Sequence, residues 1–150
     1  MDAEVVTPSR EKLLYGLYEA AELEHNLMCT YLYAAFSLKV GVAEGLTAEE
    51  ATAVERWRTV VRAVAIEEMG HLAAVWNITL ALGGSPRFGR NNFPLDLGYL
   101  PAGVVVKLAP FTERTLQHFI FLERPYGSDE PEGEGLRRHA TSCVRLPPSA

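Results

Sequence analysis

The chain has 150 residues, of which 48% are hydrophobic and 22% charged, and its net charge is -5 at pH 7. These values are typical of one soluble domain. The acidic balance offers no basic surface for nucleic acid, and no apolar run reaches the ~18 residues of a membrane span. The N-terminus also lacks the basic and apolar pattern of a leader peptide. We therefore expect no nucleic-acid partner, no membrane contact and a cytoplasmic location.

The first predicted element is a long helix. Thr7 is a suitable N-cap before Pro8, and the apolar period continues to about Lys39, before Gly41. The residues at alternating steps of three and four are apolar with one exception: Leu13, Leu17, Ala20, Glu24, Leu27, Tyr31, Ala34 and Leu38. Glu24 is therefore a carboxylate on a face expected to pack against another helix.

The second predicted element is a longer helix. Thr47 and Glu50 match a capping box, and the apolar period persists to Leu82, before Gly83. Its stripe is again apolar except at two positions: Val54, Trp57, Val61, Val64, Glu68, His71, Val75, Ile78 and Leu82. The short connection between the two helices predicts an antiparallel pair.

The rest of the chain is less regular. Residues 84–110 are rich in Gly, Pro and Asn, which predicts a crossover loop in which 104–106 form a strand or an extended pass. Thr112 then caps a short helix from Glu113 to about Glu123. The expected fold is all-α: half of a helical bundle over residues 1–125, made of the long helix pair, the crossover and the short helix. Residues 126–150 are expected to be an irregular or disordered tail.

The charged residues on the two stripes predict a metal site. Glu68 and His71 are three residues apart and share one helical face, while Glu24 approaches from the neighbouring helix. An ionised carboxylate removed from water needs compensation, which a cation supplies, and carboxylates with neutral imidazole suit iron or manganese. The alternative is a surface Glu68 beside a hydrogen-bonded core His71. Glu67 lies off the stripe and is more typical of a solvated flank.

The register of this site is a further constraint. Counted from a turn midpoint near Glu44, Glu68 lies farther along its helix than Glu24 does. The two carboxylates then miss level register by about one helical turn, ~6 Å. An asymmetric turn between the helices would absorb this offset.

Other polar residues have weaker signals. Tyr31 either donates a hydrogen bond to a ligand or is a core aromatic with a satisfied hydroxyl. Arg87 and Arg90 in the crossover could meet an anionic substrate, although a solvated loop is the default. His118 and His139 could each supply a further ligand, but nothing in their spacing supports this.

The sequences around Glu24 and Glu68 resemble the ferritin-like superfamily. The resemblance extends to the ferritin-like domain of iminophenyl-pyruvate dimer synthases, which act in bisindole pigment pathways. It covers roughly residues 10–125 and is carried by segments 22–31, 65–72, 82–87, 91–94 and 108–113. It implies a ferritin-like bundle with Glu24, Glu68 and His71 as iron or manganese ligands. It also implies a metal-dependent oxidase that couples imines of aromatic amino acids, which are small-molecule substrates.

The second half of such a bundle, another long helix pair with its own Glu and His ligands, has no counterpart in this sequence. Four-helix bundles hold two metals with two single Glu residues and two Glu-x-x-His pairs, and this chain has one of each. A homodimer would supply the full set. The alternatives are a non-catalytic helical interaction module and a truncated product without activity.

Overall fold

Two long antiparallel helices form the frame of the chain in the computed structural model, which describes residues 8–87, 89, 92–95, 105–125 and 127–128. The first helix, α1, spans Arg10–Phe36, and the second, α2, spans Ala48–Ala81. A 3-10 turn lies between them at Val42–Glu44, and a short helix, α3, spans Glu113–Leu122. The expected all-α fold is confirmed. Most of the predicted tail lies outside the described residues.

The N-terminus of α1 differs from the prediction. Ser9 is the N-cap, and its Oγ accepts a hydrogen bond from the backbone N–H of Lys12 at 3.3 Å. The predicted cap, Thr7, lies outside the described residues. Serine and threonine are both suited to this position, so the residue type alone did not locate the first turn.

The C-terminus of α1 also differs, because the helix ends at Phe36 and not near Lys39. The Oγ of Ser37 donates to a carbonyl of the last helical turn at 2.7 Å, a local contact that competes with helix continuation. The next carbonyls, of Leu38 and Lys39, accept hydrogen bonds from Arg58 on α2 at 3.0 and 2.5 Å. An arginine of the other helix thus donates hydrogen bonds to the carbonyls that follow the end of α1.

The boundaries of α2 and α3 agree with the sequence. Thr47 Oγ1 accepts from Glu50 N at 3.2 Å while Glu50 Oε2 accepts from Thr47 N at 2.8 Å, which completes the predicted capping box. The helix ends before Gly83, whose φ of 71° is in the left-handed region that favours glycine. Thr112 caps α3 by accepting from Thr115 N at 3.2 Å.

Two arginines, here called the arginine clamps, fix the ends of the helix pair. Arg58 caps α1 as described, and Arg10 caps α2 through hydrogen bonds to the carbonyls of Leu82 at 2.7 Å and Gly83 at 2.9 Å. Neither helix has a basic residue in its own last turn. Each helix therefore receives, from an arginine of the other, hydrogen bonds to carbonyls at or just after its C-cap, which fixes their relative position along the axis.

Small side chains allow α1 and α2 to approach closely. Ala34 and Ala35 on α1 and Ala65 on α2 are fully buried in one apolar cluster. On one side of this contact, α3 adds Phe119, whose ring packs edge-on against Tyr31 with centroids 4.5 Å apart. The short helix therefore lies against the pair. Because its start is bonded to Ser37 and its end to Tyr31, it runs in the same direction as α2.

The crossover covers the outer side of α1. Leu95 and Val106 form a single antiparallel bridge, and both are buried against Leu23 and Leu27 of α1. Within the described residues, the predicted choice between a strand and an extended pass is thus resolved as an extended pass with one bridge. Residues 96–104 lie outside the described part of the chain.

The predicted stripe of α2 is only partly buried. The side chains that are buried lie on a line that drifts away from it: Val54, Val61, Ala65, Glu68, Leu72 and Thr79. Trp57 and Ile78, which the stripe placed inside, are 50% and 51% exposed. A straight helix drifts ~20° per heptad from a 3.5-residue repeat, which accounts for the exposure of Ile78 near the end of the stripe but not for that of Trp57 near its start. The result is an apolar line on the solvent side of α2.

We call this line the outer stripe and define it by its residues, Trp57, Val60, Val64, His71 and Ile78. All five are exposed or half-buried in this chain.

Within the described residues, no helix has the length and apolar character needed to cross a bilayer.

We predict that Arg58→Ala lowers the free energy of unfolding by about 1–2 kcal/mol, because the carbonyls of Leu38 and Lys39, just after α1, lose a charged donor. Denaturant unfolding of the metal-free chain measures this change. Arg62→Ala, at an exposed position of the same helix, is the matched control and should shift it by less than about 0.5 kcal/mol. If both variants were equally stable, the clamp would not contribute to the helix pair.

Candidate metal centre

The structure brings the three predicted ligands together. Glu24 of α1 and Glu68 and His71 of α2 each offer one ligand atom, and these atoms all lie within 4.8 Å of one another. His71 Nδ1 is 3.3 Å from Glu68 Oε2 and 3.4 Å from Glu24 Oε2. Atoms that share one ion at ~2.1 Å lie no more than about 4.2 Å apart, so these two distances fit a common cation.

The connection between the helices provides the register that this cluster needs. Along the helix axes, at ~1.5 Å per residue, Glu24 lies about 18 Å before the end of α1 and Glu68 about 30 Å after the start of α2. Since the two carboxylates are level, α2 begins about 12 Å beyond the end of α1. The asymmetric turn that the sequence required is thus present, and residues 37–47 span the difference.

Glu68 is the buried member of the cluster, with 4% of its surface exposed. Burial and a hydrogen bond to Glu24 raise the pKa of Glu68 to about 9, with further contributions from the negative charges of Glu24, Glu123 and Glu67. Desolvation and like charges both disfavour the ionised form. Without a cation, Glu68 therefore holds a proton, which it donates in the hydrogen bond to Glu24.

His71 is the open member of the cluster. Its side chain is 60% exposed and lies on the outer stripe, whereas Glu24 and Glu68 face the helix contact. The cluster is therefore closed by protein on the α1 side and accessible on the His71 side. An ion held here would keep coordination positions open toward the outer stripe.

A third carboxylate, Glu123 at the end of α3, lies beside the cluster. It accepts a hydrogen bond from the hydroxyl of Tyr31. Burial first, and then this bond and the charges of Glu123, Glu68 and Glu24, raise the pKa of Tyr31 well above its usual range. Tyr31 therefore stays protonated and is both a core aromatic and a donor next to the candidate ligands.

Sequence reasoning missed Glu123. A usable signal was present, because Thr115, Phe119 and Glu123 follow one another at steps of four and the first two are buried. Glu123 is itself exposed and caps the end of the helix, but it continues the line of the buried face, as Glu24 and Glu68 do on their stripes. The short length of α3 concealed it.

The other predicted residues lie elsewhere. Glu67 is exposed and, like the buried His118 on α3, is not one of the three residues whose ligand atoms converge. Arg87 lies over the ring of Tyr18, 5.0 Å from its centroid. Arg90 and His139 are outside the described residues.

Comparisons with known proteins agree with the helical architecture. A family model described as ferritin-like matches residues 17–144. A curated protein of Chromobacterium violaceum, named 2-imino-3-(indol-3-yl)propanoate dimerase, is 34% identical over 142 residues. The match covers 79% of this chain and 14% of that protein. No solved structure matches the chain. The range matched by the family model contains the whole cluster and α3.

We predict that the metal-free protein loses stability as the pH rises from about 4.5 toward about 9. The folded-state pKa of Glu68 is raised from 4.5 to about 9, so the folded state binds the extra proton throughout this interval. The contribution of Glu68 to the free energy of unfolding is then fully present below its pKa in the unfolded state, and it is lost as the pH rises through its pKa in the folded state. Urea midpoints at several pH values, with a chelator present, measure the effect.

Glu68→Gln should flatten this pH dependence, because the amide does not titrate. The matched control, Glu67→Gln, changes an exposed neighbour and should retain most of it. An unchanged slope in Glu68→Gln would show that another group carries the pH dependence.

Proposed function

Because the chain belongs to the ferritin-like family, we propose that it binds iron or manganese through Glu24, Glu68 and His71. The family match and the relative in Chromobacterium violaceum confirm the resemblance seen in the sequence. The ligand set comes from the chain itself. It combines two carboxylates and one imidazole, which are donors suited to these two metals.

The observation that carries this proposal is the burial of Glu68 against Glu24 and beside Glu123. Carboxylates that converge in a desolvated place are unfavourable unless they share protons or a cation. Such an arrangement has no packing advantage over apolar residues. It is the arrangement expected where a divalent cation is to be held.

The residues around the cluster have separate parts in this function. Glu68 must release its proton when a cation binds, so uptake is coupled to proton release. Glu24 reaches the same point from α1 and holds the ion to both helices. Tyr31 keeps its proton and orients the Glu123 carboxylate beside the cluster.

The finer proposal is an oxidase that couples imines of aromatic amino acids. It is supported by the relative, whose name states that it dimerises 2-imino-3-(indol-3-yl)propanoate. When bound, iron would supply the electron transfer with dioxygen or peroxide that an oxidative coupling requires. That relative is far longer than this chain, so its activity is carried over here as a proposal.

A second candidate function is a non-catalytic helical interaction module. The outer stripe supports it, since exposed apolar residues aligned on one helix are typical of a surface that packs against another helix. In this case the chain would bind a partner and have no enzymatic activity of its own. Measurements of metal uptake and of catalytic turnover distinguish the metal-dependent oxidase from the interaction module.

We predict that the purified chain binds Mn²⁺ or anaerobic Fe²⁺, and that Glu24→Gln, Glu68→Gln and His71→Ala each weaken binding at least ~10-fold. Calorimetric titration and metal content per chain measure this. Glu67→Gln is the matched control, because it removes an exposed carboxylate next to Glu68, and should change affinity less than ~2-fold. A chain that takes up no metal under these conditions would overturn the proposed function.

We also predict that the iron-loaded protein converts the imine of an aromatic amino acid into a coupled dimer in the presence of dioxygen or peroxide. Mass spectrometry of the product detects the coupling. Glu68→Gln should abolish turnover, while Glu67→Gln should retain it. Metal binding without any turnover would favour the interaction module over the oxidase.

A further inference from the structure

The candidate metal centre has an open side, and the outer stripe runs across it. His71 belongs to both features, since its ring is one of the three ligands and also one of the exposed stripe residues. A two-metal site of the ferritin-like kind uses two Glu-x-x-His pairs, and α2 supplies one. What covers the stripe therefore also decides whether the site is complete.

The spacing of the outer stripe indicates another helix as its cover. Trp57, Val64, His71 and Ile78 follow one another at intervals of seven residues. A sustained seven-residue repeat is the pattern with which one helix packs along another as a coiled coil. Trp57 and Ile78 are about half exposed, so this repeat has no complete partner within the described part of the chain.

The stripe continues into a groove between α2 and α3. This α2–α3 groove has a volume of about 510 Å³, and its lining is mostly apolar: Trp57, Val60, Val61, Phe111, Thr112, Glu113 and Leu116. Leu116 and Ile120, one helical turn apart on α3, are 40% and 42% exposed. Both helices therefore present apolar side chains to the same slot.

The size of this face fits a dimer only when both helices take part. The outer stripe is about 32 Å long, and with a helix width of ~10 Å it amounts to roughly 320 Å². A standard interface buries ~800 Å² per partner. The exposed side of α3 and the α2–α3 groove supply the remaining apolar surface, so the partner must lie in the slot rather than along α2 alone.

We propose that this face is a homodimer interface, in which α2 of a second copy lies antiparallel in the slot between α2 and α3 and adds its Glu68 and His71 to the site. This inference rests on the proposed metal function. A two-fold axis is the commonest symmetry for such a pair, and it makes equivalent helices antiparallel when it crosses them at a right angle.

The outer stripe is matched to itself under this symmetry. Its midpoint, halfway between Trp57 and Ile78, falls between Glu67 and Glu68. With the axis there, Trp57 of one subunit opposes Ile78 of the other, and Val64 opposes His71. The two Glu68–His71 pairs then lie within about 5 Å of the axis along the helix. The apolar contacts and the ligands are thus centred on the same point.

The dimer would hold the ligands that a two-metal site requires. Each subunit contributes Glu24, Glu68 and His71, so the pair has four carboxylates and two imidazoles around the axis. Because these carboxylates repel one another when ionised, bound cations would also stabilise the association. We therefore expect the dimer to form more strongly with metal present.

The test measures mass in solution by light scattering together with metal content per chain, with and without Mn²⁺. The wild-type chain should have the mass of two chains with metal present. Ile78→Glu and Val60→Glu place a charge in the apolar interface and should raise the dimer dissociation constant at least ~10-fold. Ile66→Glu is the matched control, since Ile66 is an equally exposed isoleucine on another face of α2, 59% against 51%, and should leave the dimer unchanged.

The outcomes separate this inference from the proposed function. A chain that binds metal and remains a monomer would overturn the dimer and leave the metal site standing. A dimer weakened equally by Ile66→Glu and Ile78→Glu would overturn the placement of the interface. A chain that binds no metal would overturn the proposed function and this inference with it. Circular dichroism of each variant confirms that the helices remain folded.

Discussion

The burial of the Glu68 carboxylate is the constraint on which the rest of this structure depends. A carboxylate between two packed helices, with a second one from Glu24 beside it, is stable only in the presence of a shared proton or a cation. The helix pair would pack more favourably with an apolar residue at this position. The fold therefore carries a local cost at Glu68, as expected at a functional site rather than in a structural core.

Several contacts elsewhere in the chain maintain this arrangement. The arginine clamps fix each end of the helix pair, and the connection at residues 37–47 sets the axial offset that brings Glu24 opposite Glu68. The Oγ of Ser37 also accepts a hydrogen bond from Phe111 N at 2.7 Å, which attaches the start of α3 to the end of α1. The axial register of the two helices decides whether the carboxylates meet, because sliding one helix past the other by one turn, ~5.4 Å, would separate them. Contacts far from the cluster therefore determine whether the cluster exists.

Much of this could be predicted from the sequence, because local signals decided it. The capping box at Thr47, the glycine after α2 and the charges on two apolar stripes each depend on near neighbours in the chain. The rotation of the α2 stripe could not be predicted in this way. The difference between 3.6 residues per turn in a straight helix and the 3.5-residue repeat accumulates only over a long helix, and its effect depends on which partner the helix packs against. Glu123 was missed for a related reason, since its place beside the cluster results from how α3 packs. Local patterns thus identified the three candidate ligands that the structure brings together, and tertiary packing decided which faces they share.

The two unusual features of the chain, a desolvated carboxylate cluster and an exposed apolar stripe, meet at His71. If a second helix covers the stripe, water is excluded from the open side of the cluster, and the ionised carboxylates become still less stable without a cation. A bound cation reverses this, because it removes the repulsion that opposes close approach of the two faces. Metal binding and helix association are then linked equilibria, and each must strengthen the other by the same factor.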